Sequence, residues 1–99
     1  MATPQYMAGE QGVHTSLNIT APTVIYARQG KVFNVSILVS PTAAGGVYDA
    51  ATTAGNVQAN MLAPIAAAET GIIRLAGTWV FNGLLVDPGT AGAVSVNWT

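Results

Sequence analysis

The chain has 99 residues, enough for one domain with one core, and 51% of them are apolar. Charged residues make up only 7% (Glu10, Arg28, Lys31, Asp49, Glu69, Arg74 and Asp87), against roughly 25% in an ordinary soluble domain. Cysteine is absent and the net charge is −1, which excludes disulfide and thiolate chemistry and leaves no basic footprint for nucleic acid.

Residues 1–12 contain Pro4, Gly9 and Gly12 and no apolar periodicity, and read as an extended N-terminal arm. Tyr6 and Met7 are its apolar handles and the candidate partner-binding residues. The opening stretch has neither a positive region nor an apolar core, so it does not read as a secretory signal. No run approaches the ~18 apolar residues that span a membrane as a helix.

Residues 13–99 read as a single β domain. Val13, Thr15, Leu17 and Ile19 alternate with His14, Ser16, Asn18 and Thr20, the pattern of a half-buried strand. After Ala21-Pro22, Thr23 to Arg28 is a second β-rich run, and Gln29-Gly30 reads as a turn folding it onto the next strand as a hairpin, with Gly30 at positive φ. That next strand, Val32 to Val39, places Phe33, Val35, Ile37 and Val39 on the expected core face. Gly45-Gly46 marks a tight turn or bulge before the short strand Gly46 to Ala50. Met61 to Ile65 is irregular, a helical turn or an edge strand, because Pro64 forbids both a long helix and a central strand.

Gly71 to Leu75 and Thr78 to Phe81 read as two strands. Asn82-Gly83 is a turn dipeptide or bulge leading into Leu84 to Val86, and Asp87-Pro88-Gly89 has the type II turn pattern. Ala93 to Trp98 is the last alternating strand. Phe33, Val35, Ile37, Val39, Leu75, Trp79, Val94 and Val96 are the expected core. The fold class is all-β: a small antiparallel β-sandwich or jelly-roll-like barrel of seven to eight short strands.

Little in the chain carries chemistry. His14 is the single histidine, which rules out a His/Cys zinc site within one chain; it reads as a surface residue, and nothing in the sequence argues that a trimer brings three copies to its axis. No nucleophile elbow or phosphate loop is present, and the four carboxylates fall in separate loops and strand ends. The three glycosylation sequons, at Asn18, Asn34 and Asn97, read as chance matches in a chain rich in Asn, Ser and Thr. Trp79, Phe81 and Trp98 each sit inside an alternating strand and read as core packing, with a sugar-stacking platform as the competing role.

From Gly30 to Val96 the order of pieces resembles small virion proteins of tailed bacteriophages. The first shared pattern is a Gly-Gly turn leading into a strand with a Tyr/Phe-Asp pair, here Gly45, Gly46, Tyr48 and Asp49. The second runs from a glycine through apolar residues into a Val-x-Pro-Gly-Thr turn, here Gly83, Val86, Pro88, Gly89 and Thr90. The resemblance implies a non-enzymatic structural protein of the virion, assembled in the host cytoplasm. A capsid decoration (cement) protein that binds and stabilises the capsid lattice is the leading form, and a neck, head-fibre or tail accessory protein the alternative. Implied partners are further copies of the chain, as a homotrimer, and the major capsid protein or another virion protein. No cofactor, nucleic acid or membrane is implied. A lectin-like, carbohydrate-binding host-recognition module is the competing class.

Overall fold

The computed structural model describes residues 14–99, so the arm at residues 1–12, with Tyr6 and Met7, lies outside the described residues. Eight strands follow in chain order: β1 (His14–Ile19), β2 (Thr23–Tyr26), β3 (Gly30–Val39), β4 (Gly45–Asp49), β5 (Met61–Ile65), β6 (Ile72–Val80), β7 (Leu84–Asp87) and β8 (Ala93–Trp98). Two short 3-10 turns, Thr53–Gly55 and Gln58–Asn60, are the only helical pieces among the described residues.

The strands form two four-stranded antiparallel sheets, ordered β1-β8-β3-β6 (sheet A) and β2-β7-β4-β5 (sheet B). Four pairs define the path: β1 with β8, β2 with β7, β3 with β6 and β4 with β5. The chain is therefore one long hairpin, folded at the β4–β5 connection and rolled so that successive pairs alternate between sheets. The contacts β3–β8 and β4–β7 close each sheet. This is the jelly-roll form of the β-sandwich.

The rolled path corrects the expected hairpin. β2 and β3 lie in opposite sheets, so Gln29-Gly30 crosses the end of the sandwich. The glycines at positive φ among the described residues are Gly71, Gly77 and Gly89, and not Gly30. Gly30 instead permits close approach: a Cβ there would meet the Tyr26 hydroxyl and the Thr99 carbonyl, each at 2.5 Å. Two other readings are resolved. Met61 to Ile65 is an edge strand with Pro64 exposed, and the two runs around Gly77 are one strand, β6, interrupted by Ala76 (φ 53) and Gly77 (φ 82).

The core lies between the sheets. Val32, Val35, Val94, Val96 and Val80 from sheet A meet Val47, Ile65, Leu84 and Val86 from sheet B, all fully buried. Of the expected core residues, Val35, Val94 and Val96 are fully buried, while Ile37 and Leu75 are half-buried against the cluster. Phe33 is only half-buried, and Val39 and Trp79 are 53% exposed. The reason is register. A bulge in β3 between Val32 and Asn34 sets two residues against one step of β8, and a second shift follows between Ile37 and Val39. Each extra residue reverses which parity faces the core, so Val32 and Val35 point inward and Phe33 outward.

All four sheet edges carry backbone devices that interrupt pairing. β1 has Asn18 at φ 52 beside its register shift, β6 has the Ala76-Gly77 pair, β5 has Pro64, and β2 is four residues long. Such kinks, prolines and short edges discourage further strand pairing.

Candidate interaction face

The two motif stretches meet on neighbouring strands. β4 pairs with β7 through Gly46 with Asp87 and Asp49 with Leu84. A Cβ on Gly45 would collide with the Asp87 carbonyl and the Gly89 amide, so only glycine lets the strand pass the turn. Asp87 Oδ1 accepts a bond from the Gly89 amide at 2.9 Å, and Gly89 has the positive φ (86°) that the type II turn requires. Asp49 closes the other end: its carboxylate accepts bonds from the Phe81 amide at 3.1 Å, the Asn82 amide at 2.7 Å and the Gly83 amide at 3.4 Å. Both carboxylates therefore organise backbone, which is a structural role.

His14 is exposed at the start of β1, its ring 4.6 Å from that of Trp98. Trp98 donates from Nε1 to Ser16 Oγ at 2.9 Å and lies 5.1 Å from the Tyr26 ring, which carries the Arg28 guanidinium at 4.4 Å. This ladder closes one end of the sandwich between the sheets. Burial pushes the Tyr26 phenol above its ordinary value, Arg28 opposes the shift, and Asp49 adds to it. Among the described residues no three His, Cys, Asp or Glu side chains come together as a metal site. One surface hollow, of about 420 Å³, is lined by residues between Ser16 and Ile25 and contains no ionisable side chain. A second, of about 320 Å³, includes one, Asp87, already bonded to Gly89.

The outer surface of sheet A is different in character. Trp79 is paired with Lys31 across β3 and β6, and the Lys31 ammonium sits 4.6 Å from the indole centroid. The Phe33 ring covers Gly77 beside them, and Phe81, just past β6, is 63% exposed. Expected core roles for Trp79 and Phe81 are thus corrected: Val80, fully buried, takes the inward position between them. Ile72, Leu38 and Leu17 are further exposed apolar groups of this sheet. A polar row, Thr15, Asn97, Asn34 and Arg74, runs across its middle through the paired strands.

Charge divides between the sheets. The strands of sheet A contain Lys31 and Arg74 and no acid; those of sheet B contain Asp49 and Asp87 and no base. The aromatic patch therefore sits on the cationic side. In the sequence, the Thr78 to Phe81 run has apolar residues at both parities, which was the available sign of a strand with an apolar outer surface. Of the three sugar-stacking candidates, Trp79 and Phe81 lie outward, while Trp98 belongs to the ladder at the end of the core.

No family model, no curated protein and no solved structure matches the chain.

Proposed function

We propose that this chain is a non-enzymatic structural protein of a tailed-phage virion, a decoration protein that docks on the capsid lattice through the outer surface of sheet A. The observation that carries the reading is the exposure of Trp79, beside Lys31, and of Phe81 on a chain with so few charges. Aromatic side chains are enriched at protein interfaces, and tryptophan is among the residues that dominate their binding energy. The cationic bias of sheet A suits an acidic lattice surface. The motif residues fit the same reading, since they build the fold and leave no reactive group free. A low net charge also favours association over solitary solubility. Binding to assembled lattice and not to free subunits would stabilise the shell by mass action.

On this reading the chain acts as one of many copies, with a homotrimer as the closed form that avoids open fibres. Tyr6 and Met7 are its second set of contacts, with a neighbouring copy or shell subunit. A neck, head-fibre or tail position rests on the same contacts at lower copy number. Virions purified from a lysate containing the chain, quantified by mass spectrometry, test the proposal. Copy number on the scale of the lattice is the expected result; absence from particles, with a monomer by light scattering, would end it.

Trp79 also favours one competing reading, a carbohydrate-binding module, because an indole with half its surface in solvent is a stacking platform for a sugar ring. A glycan array separates the two. Specific sugar binding that disappears in folded Trp79→Ala, without particle association, would favour the carbohydrate module.

A further inference from the structure

We infer that Asn82-Gly83 is a site of spontaneous deamidation that the Asp49 carboxylate holds in check. In an Asn-Gly pair the glycine nitrogen has no side chain beside it and attacks the asparagine side-chain carbonyl carbon. A new C–N bond closes a five-membered imide, the Cγ–Nδ2 bond breaks, and ammonia leaves with the proton lost from the glycine nitrogen. Water then opens the ring at either carbonyl, giving aspartate or isoaspartate. Asn82 is exposed, and of the chain's asparagines it alone precedes glycine.

The fold restrains the attacking atom. The Gly83 amide donates to Asp49 Oδ1 at 3.4 Å, and the same oxygen takes the Asn82 amide at 2.7 Å. The Gly83 carbonyl accepts a bond from the Ala50 amide at 3.0 Å. Gly83 is buried, and a Cβ there would lie 2.7 Å from both the Ala50 and Tyr26 carbonyl oxygens, so its peptide is wedged between two chain segments. Reaction needs this nitrogen to lose its proton and swing toward the Asn82 side chain. A fixed negative charge opposes the first step, and the wedge opposes the second.

Deamidation would undo the arrangement that limits it. Aspartate at position 82 would put a second carboxylate beside Asp49. Isoaspartate would add a methylene to the backbone of the loop that aims Phe81. Asp49 thus keeps intact the turn on which Phe81, exposed on the surface, depends.

The test is peptide mass spectrometry of the full-length protein, incubated at mildly alkaline pH either folded or in denaturing urea, with isoaspartate scored by enzymatic methylation. Folded protein should deamidate at Asn82 slower than the unfolded chain by roughly tenfold or more. Asp49→Asn, checked for folding by circular dichroism, should react about fivefold faster than the folded wild type. Hydrogen exchange on the wild type gives a readout independent of any variant: the Gly83 amide should be protected. Equal rates in folded and unfolded protein, an unchanged rate in folded Asp49→Asn, or an unprotected Gly83 amide would each overturn the inference.

Discussion

The ring of Tyr48 folds back along its own strand over Gly46, so that a Cβ at position 46 would lie 3.0 Å from the phenolic oxygen. The same ring forms a small buried cluster with Leu85 and Ala50 on the outer side of sheet B. The two glycines before it thus have different jobs. Gly46 makes room for a side chain, while Gly45 makes room for backbone at the Asp87–Gly89 turn.

That difference predicts an order of damage. Gly46→Ala asks a ring to shift and should destabilise by about 1–2 kcal/mol. Gly45→Ala asks a paired strand and a turn to part and should cost about 3 kcal/mol or more, or prevent folding. Urea denaturation of both variants measures it, and equal effects would contradict the assignment.

Truncation of apolar groups should follow the bulged register and not the sequence alternation. Leu84→Ala, from a fully buried site, should destabilise by about 2–5 kcal/mol. Phe33→Ala removes a half-buried ring lying over Gly77 and should cost only about 1–2 kcal/mol. A larger loss at Phe33 than at Leu84 would place the bulge elsewhere.

Alkali should weaken the fold through its tyrosines. Burial raises the phenols of both Tyr26 and Tyr48 above the ordinary 10.0, and the Asp87 carboxylate adds to the shift at Tyr48. A raised folded-state pKa favours the neutral phenol, so its stabilisation is complete below the unfolded value. It is lost as pH rises from there through the folded value. Denaturant midpoints should hold to near pH 10 and then fall. The fall should be shallower in Tyr26→Phe and in Tyr48→Phe, and an unchanged profile in both variants would exclude this cause.

Among the described residues three alanines adopt left-handed backbone: Ala68 (φ 63), Ala76 (φ 53) and Ala91 (φ 60). This conformation costs an L-residue roughly 1–2 kcal/mol, partly offset on mutation by glycine's greater unfolded-state freedom. Ala68→Gly and Ala91→Gly should therefore raise stability by up to about 1 kcal/mol, the reverse of the usual alanine-to-glycine effect. Thermal melts decide it, and a loss in both would contradict the backbone assignment.

The sequence by itself determined the class of structure, most strand positions and the Asp87-Pro88-Gly89 turn, because alternation of period two and turn chemistry are local properties. It also marked the Gly-Gly-x-Tyr-Asp stretch as special, since two adjacent glycines before a strand mean that something must approach closely. Tertiary structure alone decided what approaches: a ring over Gly46 and the Asp87–Gly89 turn against Gly45. It also decided the pairing of β1 with β8, which brings together Thr15 and Asn97, 82 residues apart, and which no local pattern encodes. Orientation was lost for a related reason. Alternation defines two faces but not which one is buried, and a bulge exchanges them part-way along β3. In β6 the left-handed backbone falls on Ala76 as well as Gly77, and alanine gives no sequence signal for it. Trp79 therefore looked like core and stands on the surface, because its neighbour Val80 fills the inward site.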